Sequence, residues 1–139
     1  MANALYPKFK QRLIAAASLT TTTPIDMSSD TIKIALIDTG VYTYNTADEF
    51  WSSASSAAVG TAQTLTSKTF TSGVFDAADA TFSALTGNSI EALIVYKDTG
   101  SAATSPLIAY LDTGVTNLPL TPDGGDVVIQ FSASGIFTL

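Results

Sequence analysis

The sequence predicts an all-β protein, an antiparallel sandwich or barrel of eight or nine short strands preceded by a short helix. From about residue 30 onward, short apolar runs are separated by Gly, Asp, Asn and Pro, the residues typical of turns between strands. Only roughly the first 20 residues show a helical period of apolar side chains. A chain of 139 residues is long enough to fold as one domain around its own core.

A helix is predicted from about Leu5 to Leu19. Pro7 fits the first turn of this helix, because N–H groups there make no hydrogen bond within the helix and proline lacks one. Apolar side chains recur there at a spacing of four, at Leu5, Phe9 and Leu13. The run Thr20–Thr23 disfavours further helix and forms a hinge-like linker. We therefore predict an N-terminal helix and linker arm over residues 1–23 and a single β-sandwich domain over residues 24–139.

Alternation of apolar and polar residues begins after Asp30 and predicts a first strand over residues 31–37. The run Ala92–Tyr96 is apolar without alternation, as in a strand covered on both faces, so we expect its strand at the centre of the sheet. The further predicted strands are Val41–Tyr44, Thr61–Thr66, Lys68–Phe75, Asp79–Ala84, Ser89–Lys97, Pro106–Asp112, Asp126–Phe131 and Ile136–Leu139.

The segment between the first strands is predicted to be less regular. Thr46 and Glu49 have the spacing of a capping box, which predicts a short helix through Phe50 and Trp51. The Ser- and Ala-rich stretch Ser52–Ala58 is predicted to be a surface loop.

The composition excludes several classes of catalyst. The chain has no histidine and no cysteine, so a serine–histidine hydrolase, a cysteine nucleophile and imidazole or thiolate metal sites are impossible. Six basic residues against twelve acidic ones give a net charge of −6, whereas phosphate backbones are bound through Lys and Arg clusters. No apolar run approaches the roughly 18 residues that span a bilayer. We expect a soluble protein with no secretory signal, cofactor, nucleic-acid partner or membrane partner.

Half of the basic residues lie inside the predicted helix, in a window of five residues: Lys8, Lys10 and Arg12. One interpretation is a solvated helix face. The other is a basic foot that docks on an acidic partner, together with the apolar neighbours Phe9 and Leu13. The candidate docking residues are therefore Lys8, Phe9, Lys10, Arg12 and Leu13.

The tripeptide Asp-Thr-Gly occurs three times, each time directly after an apolar strand, at Asp38, Asp98 and Asp112. The first copy has the form of the catalytic turn of aspartic proteases, where two carboxylates share a proton and a short chain dimerises to supply the pair. Three copies favour a recurring turn instead, because Asp bonds nearby backbone N–H groups and Gly accepts a positive φ. The glycine that follows a later apolar run in those proteases is replaced here by Lys97. We predict no catalytic residue, with a homodimeric aspartic protease as the remote alternative.

Two weaker alternatives concern other residue groups. Four aspartates could be calcium ligands but lack the oxygen spacing of an EF-hand loop, so turns are the simpler interpretation of Asp76, Asp79, Asp123 and Asp126. An aromatic group could stack on a sugar, although such groups are more often core or interface: Tyr42, Tyr44, Phe50 and Trp51.

Four segments together resemble small structural proteins of tailed phages: Met1–Lys10, Asp30–Ile37, Gly73–Asp76 and Glu91–Lys97. The resemblance runs nearly end to end. The proteins that the chain most resembles are the jelly-roll cement proteins of short-tailed phages, of which the Bordetella phage kind is an example. No functional residue carries over individually, because the activity of such proteins is spread over a surface.

The resemblance implies a jelly-roll-like antiparallel β-sandwich of about eight strands. It also implies a non-enzymatic capsid decoration protein that is soluble in the host cytoplasm before assembly and then binds the outer surface of the virion. The expected partners are the phage major capsid protein and further copies of the chain, as a dimer or trimer, with the basic helix as the candidate capsid-docking site. A tail or head–tail junction component is the alternative virion role.

Overall fold

The computed structural model describes residues 3–19 and 24–139. Within them one α-helix, α1, spans Pro7–Ala15, and a 3₁₀ turn continues it over Ala16–Ser18. Nine strands form in the same described residues: β1 (Ala4–Leu5), β2 (Ile32–Ile37), β3 (Gln63–Thr64), β4 (Val74–Phe75), β5 (Ala80–Phe82), β6 (Ala92–Lys97), β7 (Leu107–Leu111), β8 (Val127–Ile129) and β9 (Phe137–Thr138).

Five of the strands make one antiparallel sheet in the order β1-β7-β6-β2-β3. Strand β6 lies at its centre, as predicted, and pairs with β2 over its whole length, with Ile34 opposite Val95. The side chains of β6 and β7 are buried on both faces, apart from half-buried Lys97. An unbroken apolar run therefore marks a central strand here.

The four remaining strands pair two by two, β4 with β9 and β5 with β8, also antiparallel. Phe75, Phe82 and Ile129 from these ladders are buried in the same core cluster as the apolar residues of the large sheet. The fold is thus an all-β sandwich with one short helix near the N-terminus, which confirms the predicted class.

Within the predicted N-terminal arm, described residues 3–19 contact the β-body, and the division of the chain at residue 23 stays a prediction. Strand β1 forms one edge of the sheet and pairs with β7, where Ala4 lies opposite Tyr110. Tyr6 and Phe9 follow it and are almost fully buried in the common core. Burying two large aromatic side chains removes much apolar surface from water, and this stabilises the packing of the segment on the sandwich. The predicted linker Thr20–Thr23 lies outside the described residues.

The boundaries of several predicted elements differ from the structure. Residues Val41–Tyr44 form no strand, and the carboxylate of Glu49 is paired with Arg12, so no capping box forms. Trp51–Ser53 is a single 3₁₀ turn without a side-chain cap. The predicted loop Ser52–Ala58 contains a second 3₁₀ turn, and its Ala54 and Ala57 are buried, because small side chains let the turn pack closely on the sheet.

Candidate docking surface

The five predicted docking residues divide into buried and accessible ones. Phe9 and Arg12 are only 1% and 4% exposed, so neither can meet a partner directly, and this corrects their assignment. Helical geometry explains the division, because residues three apart share a face and that face packs on the sheet. Lys10 is exposed, Lys8 is half-buried and Leu13 is 44% exposed.

A row of aromatic rings holds α1 against the C-terminal strand. Phe9 meets the edge of Phe137 at a centroid distance of 6.2 Å. Phe137 contacts Phe75 at 5.2 Å, and Phe75 stacks on Phe70 at 5.7 Å. Pairing of β4 with β9 sets this order, since it places Phe75 opposite Phe137. The row forms the floor of a surface groove.

The groove beside α1 is apolar and has a volume of about 230 Å³. Its rim includes large apolar side chains that are well exposed, with Leu13 on α1, Phe70 at 40% and Leu139 at 66%. Ile14, next along the helix, is 87% exposed. We call Leu13, Ile14, Phe70 and Leu139 the apolar rim. Ile14 does not line the groove, whereas Leu13, Phe70 and Leu139 do, and exposed apolar side chains around a groove are typical of interaction sites.

Among the described residues, Lys8 and Lys10 are the two basic side chains without an ion pair or side-chain hydrogen bond. Arg12 bonds Glu49, and Lys68 donates to the backbone oxygen of Asp30. The remaining two basic residues form the ion pairs Lys33–Asp98 and Lys97–Asp30. Both uncommitted cations therefore lie on α1, and Lys10 is three and four positions from Leu13 and Ile14, on the same side of the helix.

The first two Asp-Thr-Gly copies are turns, as predicted. Asp38 Oδ1 accepts the N–H of Gly40 at 2.7 Å, and Asp98 Oδ1 accepts that of Gly100 at 2.9 Å. The second oxygen of Asp38 accepts from the side-chain amide of Asn88 at 2.9 Å, so both of its oxygens are engaged.

The third copy is held differently, by an acceptor from the N-terminal segment. The N–H groups of Asp112 and Thr113 donate to Oδ1 of Asn3, at 2.8 and 2.9 Å. This contact joins the chain ahead of β1 to the end of β7.

The aspartates considered for calcium also accept backbone N–H groups, Asp123 within its own turn and Asp126 from a segment distant in the sequence. Asp123 accepts from Gly125, and Asp126 accepts from Ala84. In residues 3–19 and 24–139 no group of three or more acidic side chains lies close enough together to hold a metal ion.

The predicted aromatic group separates into two places. Trp51 is buried and stacks on Tyr96 at 4.5 Å, nearly parallel. Tyr42 and Tyr44 instead join Tyr110 of β7. The two tyrosines and Trp51 therefore form no common platform for a sugar.

Sequence reasoning missed three members of the apolar rim: Ile14, Phe70 and Leu139. Ile14 carried a usable signal, because it breaks the four-residue spacing of the buried helix face. Phe70 and Leu139 carried none, since only the pairing of β4 with β9 brings them to the same groove.

The structure is thus an all-β sandwich with an apolar groove beside α1, the helix that also carries Lys8 and Lys10. No protein-family model matches the chain, and no curated protein matches it significantly. Among the helices of the described residues, none is long and apolar enough to cross a membrane.

Proposed function

We propose that this chain is a non-enzymatic virion structural protein, a cement protein that binds the outside of a tailed-phage capsid shell and stabilises it. The observation that carries the proposal is the apolar groove, with exposed Leu13, Phe70 and Leu139 in its lining; the helix that contributes Leu13 also carries Lys8 and Lys10. The sequence resemblance to phage cement proteins supplies the identity of the partner, the major capsid protein.

The groove fits an apolar segment of the capsid protein flanked by acidic residues. Covering Leu13, Ile14 and Phe70 would remove apolar surface from water, at about 25 cal/mol per Å². An acidic flank would meet Lys10, which lies on the same side of α1 as Leu13 and has no ion pair within residues 3–19 and 24–139. Charge pairing of this kind increases the association rate and selects the partner.

Cementing needs no strong single contact. A protein that binds only the assembled shell stabilises it by mass action. Copies that each touch more than one capsid subunit add avidity. A contact burying on the order of 1,000 Å² is then sufficient at each site. The net charge of −6 also suits the outside of a head, because the inner wall faces packaged DNA.

The assembly state remains a prediction of a dimer or trimer, which light scattering of the purified protein would measure. Counting copies in purified particles separates the two virion roles. Hundreds of copies per particle support the head, whereas a handful would support a tail or head–tail junction component.

The docking test uses heads of the phage that encodes this chain, stripped of bound copies. Leu13→Ser with Ile14→Ser should weaken binding at least tenfold, because burying these side chains on binding would no longer remove apolar surface from water. Val41→Ser with Val128→Ser is the matched control, since these valines are exposed apolar residues outside the groove lining. Lys8→Gln with Lys10→Gln should lower the salt dependence of binding. Equal loss in rim and control variants would reject the groove as the docking site.

A further inference from the structure

A second cavity, of about 480 Å³, lies at one end of the five-stranded sheet. Antiparallel pairing brings together there the end of β2, the beginning of β6 and the end of β7. The first and third Asp-Thr-Gly segments follow β2 and β7 at this end. The side chains that matter for its chemistry are Thr39, Tyr42, Tyr44, Glu91, Tyr110 and Asp112.

Tyrosine rings form one wall of this cavity. The Tyr44 ring lies 5.4 Å from that of Tyr110, and Tyr42 lies 6.4 Å from Tyr110, both tilted. The Tyr42 hydroxyl donates to Asp48 at 2.8 Å and is 2.9 Å from the hydroxyl of Tyr6, so the ring is fixed from behind. Fixed rings offer their electron-rich faces without a further ordering cost.

Two carboxylates border the same rings. Glu91 Oε2 accepts the N–H and the hydroxyl of Thr39, at 3.0 and 3.1 Å. Hydrogen bonds from Ser89 and Thr39 lower the pKa of Glu91 below its ordinary value, so its carboxylate is ionised at neutral pH. Burial raises the pKa of Tyr110, and the charges of Asp112 and Glu91 raise it further.

We propose that this cavity binds an alkylammonium group, either a primary ammonium such as that of a lysine side chain or a quaternary ammonium. An ammonium ion is attracted both by the face of an aromatic ring and by a carboxylate. The lining contains no Lys or Arg, so an anion would find no counter-charge. Tyr42 and Tyr110 are almost entirely buried, so the half-buried ring of Tyr44 is the aromatic face that a cation would reach.

The probes are choline and n-butylammonium, each compared with its neutral analogue. For choline the analogue has carbon in place of nitrogen, and for n-butylammonium it is butanol. Titration followed by NMR should show millimolar binding of at least one cation, with both neutral analogues binding roughly fivefold or more weakly. Preference for n-butylammonium would indicate a primary amine such as lysine, and preference for choline a quaternary ammonium.

Two variants locate the site. Glu91→Gln keeps the acceptor for Thr39 but removes the charge, and Tyr44→Leu removes a half-buried ring. Each should weaken cation binding roughly threefold to tenfold. Asp123→Asn is the control, because it removes one exposed acidic charge outside this lining while keeping the turn to Gly125.

Three results would overturn the proposal. They are no binding of either cation, equal binding of cation and neutral analogue, or equal loss in the Asp123→Asn control. Binding of a methyl glycoside in preference to both cations would assign the cavity to sugars instead. If Glu91→Gln does not fold, as judged by circular dichroism, Tyr44→Leu decides the question. None of these outcomes depends on capsid binding.

Discussion

Arg12 Nη2 lies 2.6 Å from Oε1 of Glu49, in an ion pair whose side chains are only 1% and 13% exposed. The pair joins α1 to the segment before Trp51, whose N–H in turn bonds the backbone of Ser105. A guanidinium this deeply buried is stabilising only while its partner is present. The basic helix is therefore held in the β-body by one of the residues that the sequence assigned to docking.

Arg12→Ala is expected to destabilise the protein by about 3 kcal/mol, because it leaves the largely buried Glu49 carboxylate without its cation. Urea unfolding followed by circular dichroism would measure the change. Lys10→Ala, on the exposed side of the same helix, should alter stability by less than about 0.5 kcal/mol. Similar values for the two variants would mean that the Arg12–Glu49 pair does not hold α1 in place.

Phe9→Ala should cost about 3–5 kcal/mol, because it leaves a cavity in the core between α1 and Phe137. Leu13→Ala, on the half-exposed rim, should cost about 1 kcal/mol or less. The same unfolding experiment measures both. By the same reasoning, deletion of residues 1–23 should unfold the sandwich, and a stable, cooperatively folded truncated protein would contradict this account.

The strands with strong local patterns were predictable, and the groove was not. The unbroken apolar run of Ala92–Tyr96 is enough to place β6 at the sheet centre. Lys68–Phe75 was predicted as one strand, but a 3₁₀ turn interrupts it and Ser72 there has a φ of 55°. A β-branched and aromatic composition predicts extended backbone in that window, and only tertiary contacts decide where it bends.

The docking residues show the same limit of sequence reasoning. A helical period predicts that Phe9 and Leu13 share a stripe, yet their exposure differs because the sheet covers only part of it. From the sequence, Arg12 is expected to be a charged surface residue. In the structure it is buried, because the carboxylate of Glu49, distant in the sequence, pairs with it.

Gly135→Ala should destabilise the protein by about 2–3 kcal/mol. Its φ is +91°, and an added Cβ would collide with Val74 and lie 3.0 Å from the carbonyl oxygen of Phe75. Gly100→Ala is the matched control, since its φ is +89° but no atom lies within 4 Å of the added Cβ, so about 1 kcal/mol of backbone strain remains. Thermal unfolding compares them, and equal losses would show that Gly135 is needed only for its backbone angle.

Stability should fall in alkaline solution as the tyrosines of the unfolded chain ionise. Burial raises the pKa of Tyr42 from its ordinary 10.0 to about 12, and burial likewise raises that of Tyr96 to about 12. Between these values the unfolded chain ionises its tyrosines and the folded chain does not. The stabilisation is therefore complete below pH 10 and is lost as the pH rises toward 12.

Urea midpoints across this alkaline window, with tyrosinate absorbance recorded in parallel, would test the effect. Tyr42→Phe should show a smaller decline, because one of the shifted groups has been removed. Tyrosinate absorbance that appears near pH 10 in the folded protein, with an unchanged urea midpoint, would contradict the buried positions of these rings.

The most direct test of the proposed role is a cryo-EM reconstruction of the phage particle into which we propose that this chain assembles. The account predicts copies on the outer surface of the head, each contacting the major capsid protein through α1 and the groove lined by Phe70 and Leu139. A reconstruction in which the chain is absent from the shell, or meets it with the groove facing solvent, would contradict the account.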